Sequence, residues 1–323
     1  MPANSGNKIQ ASEVILPCSE LDSTLTFFTE ILGFQINSIF PADAPLVALI
    51  SGYGVNLRLD CRASGDPGKL RIFCQNPKEF SEGATELTSP NGTIIEIAEV
   101  DPPLLLPPEK QSFVMNRYSK DTSWKIGRAG MKYRDLIPNR QGGRFIASHI
   151  RIPEGGPVPD YVHYHKIRFQ MIFCYRGWVR VVYEEQGPPF VMHSGDCVLQ
   201  PPEIRHRVLE SSAGLEVIEI SCPAEHETRA DHEIDLPTKK VQPNRDFSGQ
   251  HFVLHKVSQA EWNPWRIKGF EFRDTGIGTA TKGIAGIRII RSMNDDKPQV
   301  YSHSGEFYFF FILGCDSVSP INS

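Results

Sequence analysis

Histidine is missing from the first part of the chain: ten are present, and none precedes His149. That region has no imidazole to offer a cation, and carboxylates without imidazole make a poor site for a soft metal. No C-x-x-C pair occurs among the seven cysteines, at 18, 61, 74, 174, 197, 222 and 315. An odd, scattered set argues against a disulfide framework and for a reducing compartment. No long apolar run exists either. The longest, 307–313, is too short to cross a bilayer. The opening MPANSGNK carries no apolar core, so no secretory signal is expected. Basic excess is absent, with 34 Lys and Arg against 38 Asp and Glu and a net charge of −4. No nucleic-acid footprint follows from that balance. The expectation is a cytoplasmic, strand-rich protein of two or three domains that binds neither nucleic acid nor membrane.

What is present centres on Tyr161-Val-His163-Tyr-His165-Lys-Ile-Arg168-Phe-Gln170. Residues i and i+2 of a strand face the same side, so both imidazoles project together. Gln170 lies five beyond His165, an odd offset, so the chain must turn or bulge between Lys166 and Phe169. An apolar strand follows from Phe169 and ends at Gly177. Further on, Gly195-Asp-Cys-Val-Leu-Gln-Pro201-Pro-Glu203-Ile-Arg205-His206 reads as a turn leading into a strand.

These two pieces resemble the paired motifs of the cupin superfamily, G-x5-H-x-H-x3,4-E-x6-G and G-x5-P-x-G-x2-H. Here the first has Gln170 in place of Glu, and the second has Glu203 in place of Gly. The resemblance implies a jelly-roll barrel over 124–223 with one divalent ion, Fe, Mn, Ni, Co or Zn, in its mouth. The implied ligands are His163, His165, Gln170 and His206. A neutral amide in place of a carboxylate leaves the full charge of the ion and favours an anionic ligand.

Residues 13–18, 34–40, 46–50 and 55–59 read as strands, and 22–32 as a helix with Leu25, Phe28 and Leu32 at helical spacing. Gly33 stops it. The stretch from Cys18 to Phe34, with Ser89-Pro-Asn-Gly92-Thr-Ile-Ile-Glu96, resembles the glyoxalase, or vicinal-oxygen-chelate, family. It implies an α+β domain over 11–100, a βαβββ module with an abbreviated second half. That family's first and last metal positions fall on Glu13 and Glu96, read here as structural groups. The domain is expected to serve as a cover or oligomerisation module within a homo-oligomer.

A proline-dense linker spans 101–110, and 223–250 reads as a second linker. After it, Trp265-Arg-Ile and Phe272-Arg-Asp274 repeat Trp124-Lys-Ile and Tyr133-Arg-Asp135. From Asp135 to His165 is 30 positions, and from Asp274 to His303 is 29. This duplication implies a bicupin whose second, partial barrel covers 251–323. In that copy Tyr301 stands for His163, His303 for His165 and Tyr308 for Gln170. The second motif is not found there. The chain is therefore expected to be a truncated or alternatively spliced product, unless another subunit completes the barrel. The aromatic run 307–313 is expected as an exposed strand edge.

Mainly β architecture with an α+β N-terminal domain is thus the expected fold class. The expected function is a metal-dependent enzyme on a small carboxylate-bearing metabolite, with dioxygenase-type cleavage favoured. A Lewis-acid isomerase or lyase on a sugar acid and a non-catalytic metabolite-binding cupin are the alternatives. Tyr161, in phase with His163, is the candidate proton donor. Arg168 and Arg176, at even offsets from Gln170, are the candidate carboxylate anchors, and Glu203 and Arg205 flank His206 as supporting groups.

Overall fold

The computed structural model describes residues 9–119, 123–293 and 303–314. Tyr301 and Cys315, each singled out above, lie outside the described residues. Two compact units divide the chain, Met1–Pro103 and Leu104–Ser323. Strand is the predominant regular element among the described residues.

In the first unit, β1 (Val14–Pro17) leads into α1 (Leu21–Thr26), which widens into a π-turn over Phe27–Ile31. Phe28 and Leu32 are buried from the predicted stripe, and Leu25 packs partly against them. Gly33 ends the turn at φ 76°, a left-handed conformation suited to glycine. Then come β2 (Gln35–Phe40), β3 (Val47–Gly52) and β4 (Val55–Asp60). The sheet order is β1-β4-β3-β2, with β1 parallel to β4. A smaller copy follows: β5 (Lys69–Cys74), α2 (Pro77–Phe80), β6 (Glu86–Thr88) and β7 (Ile94–Glu99). Its order is β5-β7-β6, with β5 parallel to β7, so it is one strand short of the first. Glu13 pairs with Arg58 at 3.8 Å, and Glu96 with Arg71 at 2.8 Å.

The second unit opens with the meander β8 (Lys125–Ile126), β9 (Lys132–Asp135) and β10 (Ile146–Ile152). There follow β11 (Gly156–Pro157), β12 (His163–His165), β13 (Phe169–Arg176), β14 (Trp178–Tyr183) and β15 (Phe190–His193). Then come β16 (Cys197–Leu199), β17 (His206–Ser211), β18 (Leu215–Cys222) and β19 (Thr228–Ala230). One sheet contains β16-β13-β18-β10, the other β15-β14-β17-β12. Counting from β10 and leaving out the short β11, the two sheets run 1-8-3-6 and 5-4-7-2. That is the order of an eight-stranded jelly roll. The turn expected between Lys166 and Phe169 carries the chain from one sheet to the other.

The sheet holding β13 and β18 is covered on both faces, which accounts for their nearly unbroken apolar sequences. Between the sheets lie Ile150, Val179, Val181, Val217 and Met192. On the outer face lie Phe145, Phe169, Met171, Phe173, Ile218 and Ile220. Three expectations need correction, two of them through what covers that outer face. The chain around Leu106 is not a free linker: Leu106 packs there, and Arg144 Nη1 donates to the Pro107 carbonyl at 2.8 Å. Residues 223–250 are not a linker either, since β19 adds to the sheet beside β12. Run 307–313 forms no strand; Phe307, Phe309 and Phe311 lie against the outer face while Phe310 and Ile312 face solvent. Phe307 stacks on Phe145 at 4.5 Å between centroids.

The remaining elements are β20 (Val253–His255), β21 (Asn263–Pro264), β22 (Phe270–Asp274), α3 (Ile277–Ala280) and β23 (Arg288–Ser292). β20 extends the barrel sheet at β16. The meander β21-β22-β23 pairs in the same order as β8-β9-β10.

Candidate metal centre

His163 and His165 leave β12 on the same side, as their spacing requires. His163 is directly opposite His206 across the β12–β17 pair. Three rings therefore converge, with centroids 4.2 to 5.2 Å apart and one ligand atom from each within 4.8 Å of the others. All three are buried.

Backbone carbonyls fix which nitrogen faces inward. His163 Nδ1 donates to Tyr161 O at 2.8 Å, and His206 Nδ1 to Ile204 O at 2.9 Å. His165 Nδ1 meets Thr228 Oγ1 at 3.0 Å. A ring that donates through Nδ1 presents a lone pair at Nε2, the form in which imidazole binds a metal. Burial lowers the pKa of all three. His165 falls to about 2, helped by repulsion from His163 and His226. His163 is lowered further by Arg128, and His206 by the other two rings. Neutral, converging, oriented imidazoles fit a divalent cation.

A cavity of about 80 Å³ opens beside them. Its walls are Met131, Ile150, Ile172, Val181, Met192 and Val217 among others, with Arg128, Glu219 and Gln200 as polar groups. Burial pushes the Glu219 carboxyl up to about 7, against the pull of Arg128 and of hydrogen bonds from Gln170 and Ser221.

The other expected residues fall differently. Gln170 is buried, and its Oε1 has no hydrogen-bond partner. It does not line the cavity, whereas Gln200, also with an unpartnered Oε1, does. Tyr161 is half-exposed and orients His163 through its carbonyl; its ring lies 5.9 Å edge-on to that of His163. Neither expected carboxylate anchor reaches the histidines. Arg168 pairs with Glu306 at 3.1 Å and lines a separate cavity beneath 303–310. Arg176 pairs with Glu216 at 3.5 Å, beyond a register shift between Cys174 and Arg176. That bulge breaks the face parity on which its assignment rested. Glu203 takes φ 61°, the left-handed conformation that explains glycine in the motif, and its N–H donates to His165 O. Arg205 pairs with Asp231 at 3.0 Å and stacks on Tyr164 at 4.1 Å.

Three residues escaped the sequence reading. Glu219 is in phase with Leu215 and Val217, and that alternation could have flagged it. His226, dismissed with the second linker, lies 5.3 Å from the His165 ring. Arg128 comes from a glycine-flanked turn with no motif to mark it. In the second copy, His303 stacks on Tyr308 at 4.5 Å. Among the described residues, the three histidines form the one cluster of His, Cys, Asp or Glu side chains with the spacing to hold a metal ion.

No family model matches the chain, and no curated protein does. Solved structures similar to it include the polyketide cyclase RemF from Streptomyces resistomycificus. That match has 21% identity over 38% of this chain and 90% of that one, with a TM-score of 0.32. An RmlC-like cupin from Shewanella frigidimarina matches at 24% identity over 36% of this chain and 96% of that one, with a TM-score of 0.30. An oxalate decarboxylase from Lactobacillus farciminis, in a formate complex, matches at 14% identity over 54% and 65%, with a TM-score of 0.37. Strand order defines the barrel of the second unit as a jelly roll, and the three histidines converge within it. Among the described residues, no helix is long and apolar enough to cross a membrane.

Proposed function

We propose that the second unit is a metal-dependent enzyme that oxidatively cleaves a small carboxylate-bearing metabolite. The observation that carries this reading is the set of three buried imidazoles converging beside an apolar cavity. His163, His165 and His206 would hold one Fe, Mn, Ni, Co or Zn ion. We keep Gln170 as a fourth, neutral donor on the strength of its orphaned Oε1. The ion would supply Lewis acidity and, if redox-active, reactivity toward oxygen.

This chain's residues supply the rest. The backbone carbonyls of Tyr161 and Ile204 hold the rings in one tautomer. The apolar walls exclude water and strengthen electrostatic interactions inside. Glu219 can hold or release a proton near neutral pH. Those walls support a compact apolar body on the substrate over a sugar acid, whose hydroxyls would lose water and find few partners. For the first unit we propose a glyoxalase-like module that covers or oligomerises, with the whole protein a cytoplasmic homo-oligomer. Elemental analysis of purified protein, followed by oxygen uptake with branched 2-oxo acids and β-diketo acids, tests the enzyme reading. Metal-free protein after anaerobic reconstitution, or metal without oxygen uptake on any of these, counts against it.

A further inference from the structure

We propose that Arg128 is the anion-binding residue of this site and that it ties anion binding to cation binding. The inference rests on the metal-site reading above and deepens it. Arg128 Nη2 lies 3.0 Å from His163 Nε2. His163 Nδ1 is committed to the Tyr161 carbonyl, so Nε2 accepts this hydrogen bond through the lone pair a metal would use. A cation and the guanidinium N–H thus claim the same electrons, and both are positive. When a cation sits on the three rings, the guanidinium has to turn aside.

It has a pivot. Arg128 Nη1 is ion-paired with Asp160, whose side chain is fully buried and also accepts from the Val208 N–H at 3.0 Å. The Tyr161 ring lies 5.8 Å from the guanidinium carbon and offers a face for the displaced cation. Among the residues lining the cavity, Arg128 is the one with a permanent positive charge, and Glu219 is the carboxylate that opposes it. A carboxylate held between a bound ion and the turned guanidinium would relieve the repulsion between them and satisfy the fork of Arg128. Apolar walls and a volume of about 80 Å³ favour a monocarboxylate with a compact aliphatic body.

The test measures two affinities in purified full-length protein: Zn(II) by chelator competition without carboxylate, and isobutyrate for the zinc-loaded protein by calorimetry. Wild type is compared with Arg128→Met and Arg128→Gln. Gln keeps a hydrogen bond to Asp160 without the charge and is read alone if the Met variant does not fold. Opposite changes are expected: zinc at least tenfold tighter in the variants, isobutyrate at least tenfold weaker. A merely structural role would weaken both, and that result overturns the proposal. So does either affinity staying within twofold of wild type. Zinc bound equally by all three proteins removes the role of Arg128 and leaves the metal site standing. Zinc bound by none of them removes the metal-site reading itself, and this proposal with it.

Discussion

The second unit contains the same meander twice, and the two copies have been put to different uses. In both, an Asp closes the middle strand and caps the next turn. Asp135 Oδ1 accepts from the Ile137 N–H at 3.0 Å, and Asp274 Oδ1 from the Gly276 N–H at 2.8 Å. In both, a buried Arg precedes that Asp, Arg134 in β9 and Arg273 in β22. The residue after the Asp donates across the meander, Leu136 to Ala147 O and Thr275 to Ile287 O. Beyond this point they diverge. The first copy continues into β12 and β17 and surrounds three histidines. The second lends its apolar side chains, Ile277, Ile287 and Ile289, to the outer face of the first. A repeated frame can serve packing without serving ligation, because burial asks only for shape and apolarity while ligation asks for particular atoms.

The sharpest way to break this comparison is to move the metal. Replacing His163, His165 or His206 by Ala is expected to abolish metal binding, while His303→Ala leaves metal content unchanged, as read by elemental analysis. Loss of metal in the His303 variant would mean the second copy still carries ligands.

Next in size comes the charge buried in the first copy alone. The folded pKa of Glu219 is raised from 4.5 to about 7, so the folded protein binds that proton more tightly than the unfolded chain. Its contribution is most favourable below pH 4.5 and is lost as pH rises to 7. Above that, Glu219→Gln should be more stable than wild type by up to about 3 kcal/mol, with the difference vanishing near pH 4. Urea unfolding of both proteins from pH 4 to 8 checks it. The histidines act in the opposite sense in both proteins. Their folded pKa values are depressed, so their contribution is present above 6.5 and lost as pH falls.

Side chains of the stretch 303–314 sharpen the contrast between its two faces. Phe307→Ala should destabilise by about 2 kcal/mol, the scale for a half-buried aromatic. Phe310→Ala, on the solvent side, should stay within about 0.5 kcal/mol. Chemical denaturation midpoints that fall equally in both variants would contradict the observed packing. The smallest effect tests equivalence itself. Asp135→Ala and Asp274→Ala each remove one turn cap and should each cost about 1 kcal/mol. A large difference between them would show that the repeated turns do not bear the same load.

How much of this could be read in the sequence depends on range. His163, His165 and His206 were legible because their spacing is local: two residues on one strand, and one just past a Gly-Pro turn. The repeat was legible because Trp, Arg and Asp recur in step. Arg176 misled because face parity survives only along an unbroken strand, and a bulge intervenes. Arg168 shares a face with Gln170 on paper but sits at the strand entrance, where Glu306 takes it.

By itself, the sequence determined the alternation, the turns and the histidine pair, all set by neighbours in the chain. Tertiary structure alone decided which charged groups meet them. Arg128 reaches His163 across 35 positions, Glu219 arrives from the last barrel strand, and Glu306 crosses 138 positions to reach Arg168. The physical reason is that a charge is buried wherever the closed barrel brings a partner within a few ångströms, and chain spacing does not record that distance.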